Sequence, residues 1–541
     1  MLDGGTLRYT GLTAATNRGF TSAGNTNSTI DVAGTGVALT MGACTIAHTP
    51  PFANNPQALT FIGGAGSSLT VGQVTATPAA FQVNLVPNLP TTFGSVTYAH
   101  TAGQFVLANR GTSTFTCGDV TGPGTVQDFF LGGQGTYTGV ISGFTGRLII
   151  GAGGQTMRLL GLSTFPGIVE IRQGATVVEF NSIKNADGTP SALGAPTTAA
   201  NGTIRAGQAG NAHRLKYTGT GDTTDRVLSL FGTTGNVTLE QAGTGLLKFT
   251  SALTSGAGSK TLILTGSTAG TGELGGAIVN NSPTFTTSVT KDGTGTWTLS
   301  GINTYTGATA VNAGTLALVG GSQTSAITVA ANASLGFTAG SPTTSTAAVT
   351  FAASSSVTVT GPFGPSDYQL MTATSITGPL TLSPAIPNYS LENRSGGTEL
   401  WLKYTPPASP FLAWSGGPGP NTDTNLDGLN NSAAWVVGAA NVNASATGLV
   451  PTLDNTSDAD FLIFNYRRLD TAAADPATTI KVQYNSNLTG WTDAVAGADI
   501  IITPSNDFHG PGIDKVEVKI RRTLAVGGRI FARLNVTVTI P

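Results

Sequence analysis

Apolar and polar residues alternate in short runs through the first 400 residues, and turns rich in glycine or asparagine separate the runs. Alternation with a period of two residues is typical of strands, whereas the 3.6-residue period of helices is nearly absent. We therefore predict one strand after another, with a turn roughly every 6 to 10 residues. The clearest predicted strands cover residues 83–85, 147–150, 168–171, 237–239, 246–249, 261–264, 296–299 and 327–329.

The segment 291–318 indicates how such strands are organised. It contains three short strand-like runs, each ended by a glycine or asparagine turn. A unit this short cannot bury its own apolar side, so it must stack on similar units, and equivalent threonines and asparagines should then align along the stack. With coils of roughly 20 to 25 residues, about 16 to 20 coils fit in the first 400 residues. At about 4.8 Å per coil, the stack should be on the order of 80–95 Å long.

The same segment carries a resemblance to a known family. The run that starts at Gly293 reads Gly-Thr-Gly-Thr-Trp-Thr-Leu-Ser-Gly-Ile-Asn-Thr-Tyr-Thr-Gly, and a further run, Val-Asn-Ala-Gly-Thr-Leu, starts at Val311. It resembles the autotransporter-associated β-strand repeat, also called the passenger-associated transport repeat, and a weaker copy starts at Gly135. The resemblance implies a secreted, right-handed parallel β-helix, as in autotransporter passengers and large surface proteins of verrucomicrobia-like bacteria. It implies no catalytic residues, because the family shares none.

The composition agrees with stacked strands and argues against several other classes of protein. Glycine accounts for 74 of 541 residues and charged residues for only 10%, against roughly 25% charged residues in ordinary globular chains. Aliphatic residues recur throughout, which argues against a disordered chain or a flexible linker. The first 400 residues contain 15 basic and 15 acidic residues. We therefore expect no nucleic-acid partner, since no basic surface is indicated.

A change in composition near residue 400 predicts a domain boundary. The first 400 residues contain 30 charged residues and the last 141 contain 22, while four of the five tryptophans lie after residue 400. We predict a parallel β-helix over 1–404, a Pro/Gly-rich linker over 405–420 and a C-terminal β-sandwich-like domain over 421–541. Its strands are predicted at 461–468, 481–484, 499–503, 515–520 and 529–540. The fold class is therefore all-β: a long right-handed parallel β-helix followed by a small antiparallel β-sandwich.

The C-terminal domain also resembles a known module. The run Phe-Asn-Tyr-Arg-Arg that starts at Phe464 and the run Phe-Ala-Arg-Leu that starts at Phe531 are similar to the C-terminal module of the same bacterial surface proteins. The resemblance implies no biochemical role for this module.

One candidate metal site lies just after the linker. Asp423, Asn425 and Asp427 have the spacing of the first ligands in a calcium loop, and Gly428 stands at the position of the sharp turn. The twelfth position is Ala434, so the bidentate carboxylate of such loops is missing. Two interpretations stay open: a weak calcium site, which is the only cofactor we consider, and a solvated Asx-rich turn.

Few other residues have the arrangement that catalysis requires. Polysaccharide hydrolases built on β-helices need two acids around one cleft, and the strands before residue 400 carry few acids. The densest charged cluster is Asp222, Asp225 and Arg226, at a predicted turn. We expect no enzyme activity from these residues. The four histidines are scattered along the chain, at His48, His100, His213 and His509.

The two cysteines, Cys44 and Cys117, are 73 residues apart, which is about three coils. Three coils place their α-carbons about 14 Å apart, beyond the roughly 7 Å limit for a disulfide. We expect two separate buried thiols. Neither cysteine has the neighbours that a zinc site requires.

Basic residues are concentrated near the end of the chain. They can gather on one sheet face and bind an anion, or they can be ordinary edge charges that prevent pairing with other chains. Both interpretations stay open. The residues concerned are Arg467, Arg468, Lys515, Lys519, Arg521, Arg522, Arg529 and Arg533.

The ends of the stack suggest self-assembly. An uncapped coil exposes unpaired backbone groups that another chain can pair with, so we expect head-to-tail association into filaments or a sheath. The first residues carry no basic and apolar leader, which suggests that a leader was removed or that the chain is a fragment. The candidate partner edge is the uncharged end strand, formed by Asn535, Val536, Thr537, Val538, Thr539 and Ile540.

These features favour an extracellular, non-enzymatic structural or adhesive protein at the surface of a bacterium. Its expected partners are other copies of itself and, as an alternative, surface glycans. No apolar run approaches the roughly 18 residues of a membrane-spanning helix, so no transmembrane segment is expected. Two alternatives stay open: a carbohydrate-binding or polysaccharide-degrading β-helix protein, and a passenger fragment of a larger autotransporter.

Overall fold

The structure is a computed structural model, and it describes residues 1–24, 26–48, 58–77, 82–101, 103–405 and 409–540. The chain divides into two compact units, Met1–Tyr404 and Thr405–Pro541. Part of the predicted linker, residues 406–408, lies outside the described residues.

The first unit is a parallel β-solenoid of about 15 turns. Each strand pairs in parallel with the equivalent strands of the turns before and after it, so the sheets run along the stack. The first sheet comprises Thr6–Tyr9, Ser28–Val32, Ala58–Gly63, Gln82–Pro87, Gln104–Asn109, Asp128–Gly132, Leu148–Gly151, Val169–Ile171, Ile204–Ala206, Leu228–Leu230 and Thr254–Ser255. The second sheet comprises Ala14–Ala15, Phe20–Gly24, Ala38–Met41, Cys44–His48, Ser68–Ala76, Thr91–Tyr98, Phe115–Thr121, Gly135–Tyr137, Thr156–Leu159, Val177–Phe180, His213–Tyr217, Val237–Gln241, Lys260–Gly266, Thr287–Lys291, Thr309–Val311, Ile327–Val329, Ala348–Phe351 and Ser375–Thr377.

Two further sheets complete the later turns. The third sheet comprises Asp222–Thr224, Leu246–Phe249, Thr271–Leu274, Thr296–Leu299, Thr315–Leu318, Ser334–Thr338 and Ser356–Thr360. The fourth sheet comprises Ser322–Gln323, Thr343–Ser345, Tyr368–Thr372, Glu399–Tyr404 and Tyr389–Arg394. Its last three strands pair antiparallel, so the stacking of parallel turns stops there. A short 3-10 helix lies at Gln208–Gly210.

Alternation along many of the strands decides which side chains fill the interior. In Val237–Gln241, buried residues alternate with partly exposed ones. Parallel pairing in register then places identical or similar apolar residues beside each other, as with Leu239 beside Leu264 and Val311 beside Val329. These inward rows belong to one hydrophobic core that runs along the unit. No single turn can bury its apolar side alone, which is why the turns depend on each other.

The solenoid has fewer turns than the 16 to 20 expected from the sequence. Some turns are longer than the assumed 20 to 25 residues: Ser28 pairs with Leu59, and Val169 pairs with Ile204. The second of these turns contains the loop 181–203, in which Leu193 is completely buried. Inserted loops lengthen a turn without interrupting strand pairing, so division of the chain length by a fixed repeat overestimates the number of turns.

In residues 405 and 409–540, the second unit contains two antiparallel sheets and three short α-helices. The four-stranded sheet has the order Thr452–Asp454, Phe461–Leu469, Ile513–Arg521 and Ile500–Ser505. The three-stranded sheet has the order Thr492–Asp493, Thr478–Asn485 and Phe531–Val538. The α-helices are Pro410–Ser415, Asn431–Val436 and Asp470–Ala474, and 3-10 helices lie at Thr447–Leu449 and Arg522–Leu524.

The two sheets of this unit share one hydrophobic cluster, which contains Phe464 and Val518 from the first and Val482 and Leu534 from the second. The helix Pro410–Ser415 lies inside the segment predicted as a linker. Six-residue helices show too few turns for a helical period to be visible in a sequence. The helices form instead because tertiary packing buries their apolar residues.

Candidate functional site

The repeat segment forms a closely fitted interior. Trp297 is completely buried, and its Nε1–H donates a hydrogen bond to the carbonyl of Thr265, 2.9 Å away. In the preceding turn the position beside Trp297 is Gly272. A Cβ atom at Gly272 would lie 2.4 Å from the indole ring. The tryptophan therefore requires a glycine in the neighbouring turn, which links two segments that are distant in sequence.

Lys291 points into the interior, in a row of otherwise apolar residues, and is completely buried. Its ammonium group donates to the carbonyls of Asp292 and Gly293 at 2.9 Å, and to that of Ala313 in the next turn at 3.0 Å. Burial lowers the pKa of Lys291 to about 8. Lys260, one turn earlier, donates to three carbonyls in the same manner. These buried cations hold the turns between strands in place.

Hydroxyl and amide groups complete the interior of the repeat segment. The Oδ1 atom of Asn303 accepts from the backbone N–H of Ile278 at 2.9 Å. The hydroxyl oxygens of Tyr305 and Thr309 are 2.6 Å apart, and those of Thr309 and Ser325 are 2.7 Å apart. Each contact joins residues of different strands or turns. The polar residues of the repeat therefore form hydrogen bonds that connect successive turns, and they do not line a solvent-accessible binding site.

One row of outward-facing side chains in the second sheet consists of threonines in the early turns and of charged residues in the later turns. Its first part consists of threonines aligned in register, namely Thr40, Thr70, Thr92, Thr116 and Thr136. Its continuation alternates in charge through Arg158, Glu179, Lys216 and Glu240. The carboxylate of Glu179 forms ion pairs with Arg158 Nε at 3.4 Å and with Lys216 Nζ at 3.2 Å. The stacking predicted the alignment of the threonines, but the sequence pattern did not predict the charged continuation, because loops of different length separate its members.

The expected alignment of threonines is present elsewhere too. The Oγ1 atoms of Thr97 and Thr121 are 3.5 Å apart, and those of Thr338 and Thr360 are 3.3 Å apart. These pairs lie in adjacent turns. Aligned hydroxyl groups can thus hydrogen-bond to each other along the stack, and no charged residue is needed.

The densest group of ions surrounds Glu170, whose side chain is only 1% exposed. Its carboxylate accepts from Arg172 at 2.5 Å, from Arg147 at 3.2 Å and from Arg205 at 3.3 Å. Arg147 also makes a bidentate pair with Asp128 in the preceding turn. The group connects four turns of the first sheet, so its geometry indicates a structural role.

The predicted cluster of Asp222, Asp225 and Arg226 is brought together, but its members hold a loop. Arg226 is completely buried and donates to two carbonyls of the loop 181–203, both at 2.7 Å. Burial lowers the pKa of Arg226 to about 10. Asp222 accepts from the hydroxyl of Tyr217 at 2.9 Å, and Asp225 accepts from a backbone amide of the same loop. These contacts form no cleft with two opposed acids.

The cysteines are separate buried thiols, as predicted. Burial raises the pKa of both Cys44 and Cys117 to about 12, which makes them poor nucleophiles. His213 is buried, and its Nδ1 atom accepts from the backbone N–H of Gly207 at 2.9 Å. Burial lowers the pKa of His213 to about 4. His509 is exposed in a loop of the second unit.

The three residues of the candidate calcium loop lie together in one turn. The carboxylate of Asp423 accepts from the backbone N–H groups of Asp427 and Gly428, at 3.2 and 2.8 Å. Asn425 Oδ1 also accepts from the Asp427 amide, and the carboxylate of Asp427 accepts from Ala446 at 2.6 Å. This is the hydrogen bonding of an Asx-rich turn. A calcium ion would compete with these amide donors, so the calcium site stays a prediction.

No group of three or more histidine, cysteine, aspartate or glutamate side chains in the described ranges is arranged to hold a metal ion. Within the same ranges, no helix combines the length and apolar character needed to cross a membrane.

The candidate assembly strand is part of a sheet. Asn535, Val536, Thr537 and Val538 belong to the strand Phe531–Val538, and Thr539 and Ile540 follow it. This strand pairs on one side with Thr478–Asn485 and is the last strand of its sheet. Val538 is buried in a cluster with two aromatic residues, Phe411 and Trp435. The strand is therefore structural, and its role in assembly stays a prediction.

Several basic residues of the second unit lie beside acidic residues. The pairs are Arg468 with Asp514 at 2.7 Å, Lys481 with Asp493 at 2.6 Å, Lys515 with Glu517 at 3.1 Å, Lys519 with Asp458 at 3.2 Å and Arg521 with Asp499 at 3.0 Å. Such pairs neutralise much of the positive charge on this unit.

Comparison with known proteins agrees with this geometry. The family described as Passenger-associated-transport-repeat matches residues 289–318. Over 318 residues, or 55% of the chain, the sequence is 31% identical to the Adhesin BmaC autotransporter of Brucella suis biovar 1 (strain 1330). The match spans 9% of that relative's length. No solved structure matches the chain. The chain thus carries a passenger-associated transport repeat within a parallel β-solenoid and is similar to part of an autotransporter adhesin.

Proposed function

We propose that the chain is the passenger part of an exported bacterial surface protein, located outside the cell or on its surface. The observation that carries this proposal is the repeat match at residues 289–318, which coincides with turns of the solenoid. The similarity to a relative named as an autotransporter adhesin supports the same role. The solenoid is proposed to be a right-handed β-helix that serves as a stalk, in a surface protein of the verrucomicrobia-like kind.

The second unit is proposed to be a β-sandwich with an adhesive role. Two antiparallel sheets with a common hydrophobic cluster support the sandwich. Loops at the ends of such sheets are free to vary and to bind partners, whereas the solenoid turns must keep their register. Adhesion by loops carried on a stalk is consistent with this arrangement.

Labelling of intact cells tests the location. Antibodies against the purified chain should label unpermeabilised cells of the source bacterium, and external protease should remove the label. Label that is seen only after permeabilisation contradicts a surface location.

Beads coated with the chain should also adhere to host or environmental surfaces better than uncoated beads. Surface label without any adhesion leaves the structural role and contradicts the adhesive one.

The proposal includes the absence of catalysis. The acids of the solenoid are engaged in ion pairs and loop contacts, as with Glu170 and Asp222. Incubation of the chain with acidic polysaccharides should release no reducing sugar. Release above that of a heat-denatured control would overturn the non-enzymatic assignment.

Self-assembly through the end strand is the second part of the proposal. The supporting observation is that Phe531–Val538 is the last strand of its sheet. Deletion of residues 535–541 is a poor test, because it removes the buried residue Val538. Lysines on edge strands oppose pairing, so the double variant Thr537→Lys/Thr539→Lys should abolish filaments seen by electron microscopy. Thr479→Lys, an exposed position directly opposite Thr537 in the sheet, is the matched control. Filaments from all three proteins, or from none, would contradict this part.

A further inference from the structure

A cavity of about 250 Å³ opens on the second unit, against the four-stranded sheet. Asn465 and Arg467 alternate with Phe464 and Tyr466, which pack into the hydrophobic cluster shared by the two sheets. Asn465 and Arg467 therefore lie on the opposite face of the sheet, where the cavity is. The residues that line the cavity include Asn465, Arg467, Lys515, Phe508, His509 and Val450.

The cavity carries a positive charge that the protein does not neutralise. Arg467 lies directly opposite Lys515 on the neighbouring antiparallel strand. Like charges in this position destabilise a sheet. Lys515 has a partner in Glu517 at 3.1 Å, but among the described residues no carboxylate forms an ion pair with Arg467. By contrast, Arg521 on the same sheet meets Asp499 at 3.0 Å.

Two polar side chains that line this cavity lack hydrogen-bond partners. Those of Asn465 and Arg467 make no hydrogen bond to another described residue. The Nε atom of Arg467 and the Oδ1 atom of Asn465 are also closed to solvent, so a ligand can reach only the remaining atoms, Nη1 and Nη2 of Arg467 and Nδ2 of Asn465. Buried polar groups in native proteins nearly always have partners. The atoms that stay within reach are all donors, so a ligand must present acceptors, one of them preferably anionic and another such as a hydroxyl oxygen.

An aromatic side chain forms one wall. Phe508 is 62% exposed, its ring lies edge-on to that of His509 at 4.9 Å, and the Lys515 ammonium is 5.5 Å from its centre. Exposed aromatic rings beside polar groups are typical of contact surfaces. The cavity is smaller than the roughly 300 Å³ at which sites for drug-sized ligands begin. It therefore suits a single ring with polar substituents.

We propose that this cavity binds one acidic sugar, that is, a hydroxylated ring with a carboxylate, as in a uronic acid of a surface polysaccharide. Arg467 and Lys515 bind the carboxylate, the Nδ2 group of Asn465 donates a hydrogen bond to a ring hydroxyl, and Phe508 covers the C–H face of the ring. This inference rests on the proposed adhesive function and gives it a ligand class.

The test is titration of the full chain, by calorimetry or NMR, with methyl glucuronide. Methyl glucoside lacks the carboxylate and acetate lacks the ring, so they separate the two halves of the ligand. We expect both to bind at least tenfold more weakly than methyl glucuronide. Equal binding of acetate would reduce the cavity to a carboxylate site and overturn the sugar assignment. No binding of methyl glucuronide would overturn the inference altogether.

Variants locate the binding. Arg467→Gln should weaken methyl glucuronide binding at least tenfold while the melting temperature stays the same or rises, because it removes a like-charge contact. Phe508→Ala, at an exposed position, should also weaken it severalfold. Arg521→Gln changes the same charge on the same sheet away from the lining residues, and it should leave affinity unchanged. Equal loss in Arg521→Gln would overturn the assignment to this cavity.

The failure of this inference and that of the proposed function are distinguishable. If the coated beads adhere but methyl glucuronide does not bind, this site is wrong and the adhesive function stands. If the sugar binds but intact cells carry no surface label, the site stands and the proposed location is wrong.

Discussion

The solenoid and the four-stranded sheet of the second unit differ in whether a charged residue has an oppositely charged neighbour. In the solenoid, Glu179 lies between two cations in register, Arg158 and Lys216, one in each neighbouring turn. In the second unit, Arg467 faces Lys515 and has no acidic partner in the described part of the chain. In this row of the solenoid, the neighbouring turns supply the opposite charges that pair with Glu179. The four-stranded sheet supplies no such charge to Arg467, and we proposed above that a ligand does.

The comparison extends to two buried cationic side chains. Lys291 is buried in the solenoid, and three carbonyls accept its protons. The Nε atom of Arg467 is buried in the second unit and has no acceptor. Unpartnered buried atoms also occur in the solenoid, as with Nη2 of Arg226, but that side chain is held by two other hydrogen bonds. We therefore expect mutations in the solenoid to change stability, and mutations around Arg467 to change binding.

The largest effect on stability should come from Trp297→Ala. The substitution empties a completely buried site, and large-to-small changes of this kind cost about 3–5 kcal/mol. Urea denaturation followed by circular dichroism measures the loss. Thr298→Ala, the next residue in the same strand, is only partly buried and should cost less than about 0.5 kcal/mol. Equal losses for the two variants would contradict the stacked interior.

Acid should destabilise the solenoid through His213. Its pKa is about 4 in the folded chain, against 6.5 for an unperturbed histidine. Between these values the unfolded state binds more protons, so stability falls as the pH falls from about 6.5 towards 4. This difference in pKa corresponds to about 3 kcal/mol. Unfolding curves at several pH values should show this loss for the natural chain and for His509→Gln, but not for His213→Gln. An unchanged pH profile in His213→Gln would assign the acid sensitivity elsewhere.

Glu170→Gln should have a smaller effect. It removes the carboxylate that three arginines share, and loss of one partner in a fully buried pair costs roughly 3–5 kcal/mol. The arginine side chains are 30–34% exposed, so solvent screening should reduce the cost to about 2 kcal/mol. Chemical denaturation at low and high salt measures it. A variant as stable as the natural chain would contradict the structural role of the group.

The smallest effect should come from the charged row. Glu179→Lys places three cations in succession and should cost up to about 1 kcal/mol at low salt, because these side chains are partly exposed. The double variant Glu179→Lys/Lys216→Glu restores the contact between these two residues and should recover part of the loss. Melting temperatures at low and high NaCl concentration compare them. If the double variant regains no stability and the melting temperatures do not depend on salt, the charged row contributes nothing to the stability of the solenoid.

Much of the fold follows from short-range patterns. Period-two alternation and glycine turns predicted the strands around residues 83–85, 237–239 and 461–468. Buried and partly exposed residues alternate strictly in Val237–Gln241, whereas Gln82–Pro87 and Phe461–Leu469 each contain three consecutive buried residues. The repeat motif predicted stacking, because its apolar runs are too short to fold alone. The buried thiols followed from the spacing of turns.

The rest depends on contacts between distant residues. Lys216 meets Glu179 only because the loop 181–203 adds to the turn between them, and no fixed repeat length shows that pairing. The cavity likewise combines Val450, Arg467 and Phe508 from three separate segments. In the sequence, Arg467 resembles the other basic residues near it. Only the register of the sheet shows that it faces a second cation.

The proposed division places recognition in the second unit and not in the solenoid. Its most direct test is adhesion of the full chain to a surface coated with an acidic polysaccharide. The natural chain, Arg467→Gln and Lys216→Gln are compared on that surface and on a neutral polysaccharide. We predict that Arg467→Gln loses at least tenfold in adhesion to the acidic surface, while Lys216→Gln, which removes a cation of the solenoid row, adheres like the natural chain. Loss in Lys216→Gln with full adhesion by Arg467→Gln would place recognition on the solenoid and contradict the account.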